Sequence, residues 1–355
     1  MDDRSFTAAQ DVILDIKRHW TTRLYPALKA EYRARAEASG AEPQDVAGVA
    51  DLVADTPLYR GYAWLERHLQ RMKYSGRYGL VPYHAERQAA LAAQVAAVPA
   101  DARAETDPDL AFPKYYTAVD IHQHPGGVWR DPFAAFVYER GARSTTPMLG
   151  TRHRDLHGRF TDLVAAGGPA PARILDMGCG FGKSTGPFWE AFRAAEVHGI
   201  DLSAPCVELA AADAAAAQAR HVRFRQMDAC TTDYPDGSFD LVTSTMLLHE
   251  MPPREIGRLL DEAKRLLAPG GRMVHLDFWL LPDAFARFIH YGHARRNNEP
   301  FMPPFAEMDV AAELQARGFR NVAVEPFAEA EGVDTADSPT WRFPWTVIAG
   351  AAPTA

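Results

Sequence analysis

Hydrophobic and polar positions change rhythm near residue 170. Before it, apolar residues recur at helical spacing. Val12, Ile13, Ile16, Trp20 and Leu24 form one stripe; Leu58, Tyr62, Leu65, Leu69 and Met72 form another within Pro57 to Tyr74. Asp131-Pro132 offers an N-cap followed by proline at the first helical position, a helix start. The polar stretch 99–109 reads as a loop. Residues 1–168 are therefore expected to form a mostly helical domain, closed by the linker Ala165-Ala-Gly-Gly-Pro-Ala-Pro171.

Beyond the linker, short apolar runs alternate with helical stripes. The pattern predicts strands at 172–177, 196–201, 221–225, 239–244 and 271–278, and near 320–327 and 343–350. It predicts helices at 184–194, 205–219, 253–268 and 307–317. Such alternation implies an α/β, doubly wound, parallel sheet covered on both faces. Residues 169–355 are thus read as a second domain, with an insertion at 279–306.

Composition narrows the function. Asp plus Glu outnumber Lys plus Arg by 46 to 38, a net charge of −8, so no nucleic-acid partner is expected. Cys179, Cys206 and Cys230 form no C-x-x-C pair, which favours a reducing, cytoplasmic setting. No leader pattern follows Met1, and no apolar run approaches the roughly 20 residues of a membrane span, so no membrane partner is expected either.

The chemistry centres on Arg173-Ile-Leu-Asp-Met-Gly-Cys-Gly-Phe-Gly-Lys-Ser-Thr185. A strand runs into a glycine turn where the backbone can approach a ligand. A phosphate-binding P-loop would need glycine where Met177 stands. A dinucleotide loop would need its third glycine at Lys183.

Five segments instead resemble, in order, the motifs of the class I S-adenosylmethionine-dependent methyltransferases. They are Leu175-Asp-Met-Gly-Cys-Gly-Phe-Gly182, Gly199-Ile-Asp-Leu-Ser203, Gln226-Met-Asp-Ala229, Gly237-Ser-Phe-Asp-Leu-Val242 and Leu267-Ala-Pro-Gly-Gly-Arg-Met-Val274. The resemblance covers about residues 170–350 and implies a seven-stranded Rossmann-like sheet with a helical N-terminal cap. It also implies S-adenosylmethionine as cofactor and S-adenosylhomocysteine as product. Cofactor contacts would then fall to Asp176, Gly178, Gly180, Gly182, Asp201, Leu202, Asp228, Ala229 and Thr245. Asp201 would take the ribose hydroxyls and Asp228 the adenine amino group; helix capping is the alternative role for each.

Methyl transfer chiefly requires nucleophile, methyl carbon and sulfur in line; a hydroxyl or acidic-carbon nucleophile also needs a base. His249, in Met246-Leu-Leu-His-Glu-Met-Pro252, resembles the catalytic histidine of small-molecule O-methyltransferases, although the His-Asp-Trp pattern is only partly met. A histidine without a catalytic role is the alternative. Glu250 could orient its ring. The substrate-facing candidates are His122, His124 and Trp129, and, in the insertion, Phe288, His290 and Tyr291. The alternative is that the insertion's aromatics seal the two domains together.

His153 and His157 share a helix face, and the H-x-H and H-x-x-x-H spacings are compatible with zinc or iron. No carboxylate or cysteine completes a recognisable pattern, so no metal is expected. The reading is a small-molecule methyltransferase with oxygen favoured as acceptor atom. Carbon, nitrogen or sulfur transfer, and a noncatalytic S-adenosylmethionine-binding protein, remain alternatives. The cap is compatible with a homodimer interface.

Overall fold

The computed structural model describes residues 1–40, 42–142 and 154–354. Its centre is a seven-stranded sheet: β1 (Arg173–Met177), β2 (Glu196–Asp201), β3 (Val222–Gln226), β4 (Phe239–Thr245), β5 (Leu267–Phe278), β6 (Arg320–Pro326) and β7 (Trp345–Ala351). The order is β3-β2-β1-β4-β5-β7-β6. β1 to β5 run parallel; β7 lies antiparallel between β5 and β6. The single direction expected of a parallel sheet thus holds for six strands, β6 included, and only β7 is reversed. β6 and β7 are joined through 327–344, which contains no helix, and without a helical crossover the chain returns antiparallel.

β1 is buried on both faces from Ile174 to Met177, as a central parallel strand must be. The sequence reverses its spatial direction there, since β2 lies to one side and β4 to the other. The crevice beyond such a switch point is where open α/β sheets bind ligands. β5 begins four residues before the expected 271, because Leu267 pairs with Phe239 across a register shift. The Pro253–Leu266 helix covers the sheet with Ile256, Leu259, Leu260, Ala263 and Leu266, and ends on Lys264 and Arg265, which suit its negative dipole end.

The first 142 residues are mostly helical. Pro57–Tyr74 matches the expected span, and Thr56 caps it by accepting the Tyr59 N–H at 3.2 Å. Its apolar stripe is narrower than expected, for Met72 is exposed; so is Val12 in Asp3–His19. Asp131-Pro132 forms the turn before a helix that starts at Ala134. The loop 99–109 also protects the sheet, for Glu105 pairs with the outer edge of β3 at Arg225 and covers it.

The insertion folds as two helices, Ala284–Asn297 and Met302–Ala306. One apolar cluster contains Trp20, Leu28, Val49 and Tyr62 from the N-terminal helices together with Phe285, Phe288, Trp341 and Phe343. Tyr32 stacks on Phe285 at 4.6 Å. The two expected domains therefore share a core, and that core seats the cap over the sheet's carboxyl edge. Among the described residues, no helix is long and apolar enough to cross a membrane.

Candidate active site

A cavity of about 180 Å³ opens at the carboxyl ends of β1, β2 and β4. One end is made by the glycine turn. Gly178 has φ +65°, and a Cβ there would meet the Leu247 side chain at 2.6 Å. A side chain there would displace Leu247 and adopt a left-handed conformation that favours glycine. Asp201, at the end of β2, accepts the Gly180 N–H at 2.9 Å and the Ser203 N–H at 2.8 Å. Burial raises its pKa, and those two N–H groups offset part of the rise. Leu202, Asp228, Ala229 and Thr245 line the same end, and Asp228 accepts the Cys230 N–H at 2.8 Å. The buried Thr245 hydroxyl has no hydrogen-bond partner among the described residues, so it is available to a ligand.

Two expected cofactor residues work from behind. Asp176 is fully buried and accepts the hydroxyls of Ser184 and Thr185, both at 2.7 Å, which ties β1 to the Thr185–Ala191 helix. Burial lifts its carboxyl to about 6 against the pull of those hydroxyls. Gly182 (φ +81°) faces the Ala204–Ala216 helix, where a Cβ would lie 2.9 Å from Ala210; it permits packing rather than lining the cavity.

The other end is polar and buried. After β4 the chain turns through Met246 (φ +58°) into the short Leu248–Glu250 turn. Beside it, one residue before its end, β5 carries Asp277, whose Oδ1 lies 2.6 Å from His249 Nδ1 and whose Oδ2 accepts the Leu248 N–H at 2.7 Å. The ring is fixed with Nε2 4.0 Å from the Glu250 carboxylate. Burial alone would lower the His249 pKa, but the Asp277 carboxylate outweighs it and lifts the ring to about 9. His122 places Nε2 3.5 Å from Glu250 and 3.7 Å from Glu299, while burial pushes its pKa well down. Glu299 also lies 3.7 Å from His293 Nε2. His293 and Arg296 are both tied to Glu66 of the Pro57–Tyr74 helix, a buried ion pair joining cap and insertion. Aromatic walls come from Tyr115, Tyr116, Trp129, Tyr138, Phe278 and Phe343.

Of the expected substrate residues, His122 and Trp129 line the cavity, whereas His124, Phe288, His290 and Tyr291 do not. His124 is buried against Tyr74, its ring stacked at 5.0 Å. Phe288 packs on Tyr59 at 4.8 Å, and Tyr291 donates its hydroxyl to Glu307. His290 stands one turn before His293 and faces a smaller cavity with Tyr25 and Phe285. Helical periodicity brings only His293 and Asn297 of that helix into the main cavity. His157 lines it too; its expected companion His153 lies outside the described residues.

Sequence reasoning missed Asp277, the aromatic walls other than Trp129, and the part played by Glu299. Asp277 carried a readable signal, since it stands one residue from the end of an apolar strand, much as Asp201 closes β2.

Comparison with known proteins places this geometry. A methyltransferase-domain family matches residues 174–271. The demethylmenaquinone methyltransferase of Thermus thermophilus is 38% identical over 179 residues, covering 50% of this chain and 78% of that one. The chain belongs to the class I S-adenosylmethionine-dependent methyltransferases. The 27-O-demethylrifamycin SV methyltransferase of Amycolatopsis mediterranei is 33% identical over 191 residues, covering 52% of this chain and 65% of the relative. A solved phosphoethanolamine N-methyltransferase 2 of Haemonchus contortus, in complex with S-adenosyl-L-methionine, superposes with TM-score 0.48 at 16% identity. It covers 69% of this chain and 61% of that one.

The cofactor of this methyltransferase is S-adenosylmethionine. The residues fit it. A glycine turn in left-handed backbone, a strand-end carboxylate with remaining acceptor capacity and an unsatisfied Thr245 hydroxyl face one cavity. Gly178, Gly180, Asp201, Leu202, Asp228, Ala229 and Thr245 would hold it.

Proposed function

We propose that this methyltransferase methylates a hydroxyl of a small aromatic or quinone-like acceptor. The observation that carries the reading is the continuity of the cavity. The same walls run from Gly178 and Asp201 to His249 and Glu250, so donor and acceptor groups share one enclosed space. S-adenosylmethionine, when bound, supplies an activated methyl group whose departure needs no acid from the protein.

The protein's work is positioning and proton handling. Holding the acceptor in line is worth about 7–11 kcal/mol in favourable cases. The aromatic walls suit a flat apolar acceptor, and the few buried polar groups suit its orientation. The acceptor's proton passes to the Glu250 carboxylate, which burial lifts to about 7, beside the His249 ring that Asp277 fixes. A positioned base typically contributes about 10²- to 10⁴-fold. Two relatives are named for demethylmenaquinone and 27-O-demethylrifamycin SV, and a third, from Arabidopsis thaliana, is a tocopherol O-methyltransferase. These names support the acceptor class.

The test is turnover of methyl-labelled S-adenosylmethionine with a panel of phenols and hydroxyquinones, with products located by mass spectrometry. Labelled methyl ethers are expected, with the rate falling at least about 100-fold in a Glu250→Gln, His249→Ala double variant. Labelling only at carbon or nitrogen, or an unchanged rate in the variant, would contradict the proposal.

A further inference from the structure

We propose that His122, His249 and Glu299 form a site for one divalent transition-metal ion. One ligand atom from each of the three lies within 4.8 Å of the others. Their spacing includes 3.7 Å between His122 Nε2 and Glu299 Oε1. Donors about 2.0–2.2 Å from a shared ion are roughly 3.0–3.5 Å apart, so the widest pair must close by at most about 1.8 Å, within the reach of side-chain rotation.

Three observations show a built site rather than a chance meeting of histidines. His249 gives Nδ1 to Asp277, which leaves Nε2 directed at the cluster; carboxylates behind ligand imidazoles orient them in this way. Glu299 is buried (5% exposed), and among the described residues its carboxylate accepts no hydrogen bond, its imidazole neighbours both standing 3.7 Å away. A buried carboxylate in that state calls for a cation. Finally, His122 is held at φ +59° by anchors on two sides. Gln70 donates to its carbonyl at 2.9 Å, and the neighbouring Gln123 donates to the Arg296 carbonyl at 2.6 Å.

Protein cations near the cluster compete with the ion, His249 first among them, since its Nε2 proton must leave before the ring can coordinate. Lys73 is engaged with the Gly141 carbonyl and the Tyr74 ring. Arg296 is paired with Glu66. Lys17 lines the cavity and its charge acts on Glu299, so it is a second competitor the experiment must beat. Two imidazoles and a carboxylate favour manganese, iron, cobalt, nickel or zinc over magnesium or calcium, and leave coordination positions open. An acceptor oxygen could take one of them. That last role rests on the methyl-transfer reading, whereas the ion site does not. With His249 Nε2 committed to the ion, Glu250 is left to take the acceptor's proton. The sequence reading weighed histidine pairs close together in the chain, whereas these donors come from three separated segments.

The test uses the full chain, stripped with a chelator and titrated with Mn²⁺ by electron paramagnetic resonance and with Co²⁺ by visible absorption. One ion per chain is expected. Glu299→Gln and His122→Ala should each weaken binding at least about tenfold, and His19→Ala, at an exposed histidine, should not. S-adenosylhomocysteine affinity, measured on every variant, reports that each is folded. Far less than one ion per chain in the parent protein would overturn the site, as would equal affinity in Glu299→Gln and His122→Ala. Ion binding without methyl transfer to any acceptor would instead refute the functional reading and leave the site standing.

Discussion

At the donor end, the residues that shape the cavity come from the ends of four neighbouring strands, between Gly178 and Thr245. At the acceptor end they come from His122 in the cap, His249 and Glu250 after β4, Asp277 at the end of β5, and His293 and Glu299 in the insertion, with Glu66 holding the insertion from behind. The first end is built by local rules: a strand stops, glycines turn, and an aspartate closes the edge. The second exists only when the cap is seated. The difference predicts that the ends can be damaged separately.

The largest effect should come from the tie between cap and insertion. Glu66→Ala leaves Arg296 buried without its carboxylate and should cost about 3–5 kcal/mol of stability, read by urea unfolding. A loss below about 1 kcal/mol would show that the acceptor end does not depend on that seat.

The same contrast explains what the sequence disclosed. β2 matched its expected bounds, and Asp201, Asp228 and Thr245 all reach the cavity, because a strand end and its turn are written in adjacent residues. His124, Phe288, His290 and Tyr291 were candidates by side-chain chemistry alone, and their helices and turns direct them elsewhere. Glu299 lies 177 positions beyond His122, and no local pattern announces a pairing that packing alone creates. The antiparallel β7 escaped for a similar reason: its place between β5 and β6 depends on how the chain returns.

Next in size, Asp201→Ala should weaken S-adenosylhomocysteine binding by about 2–3 kcal/mol, roughly 30- to 150-fold, through lost charge-assisted hydrogen bonds. Calorimetric titration reads it directly.

A smaller effect concerns pH at the donor end. Asp176 is raised to about 6 in the folded protein from an unfolded value near 3.8. Between those values the native state binds more protons, so this group lowers stability as pH rises from about 4 to 6, and its full cost persists above 6. Asp176→Asn removes the titration. Relative to the parent, the variant should therefore gain on the order of 2 kcal/mol between pH 4 and pH 7, compared by urea unfolding at both values. A difference that does not change with pH would show that Asp176 is ionised throughout.

The most direct test of two separable ends in one methyltransferase cavity is a set of calorimetric titrations with S-adenosylhomocysteine. The set comprises the parent protein, Asp201→Ala and Glu299→Gln. The parent should bind one molecule per chain, Asp201→Ala should lose most of that affinity, and Glu299→Gln should keep it. No binding by the parent, or an equal loss in both variants, would contradict this division of the cavity.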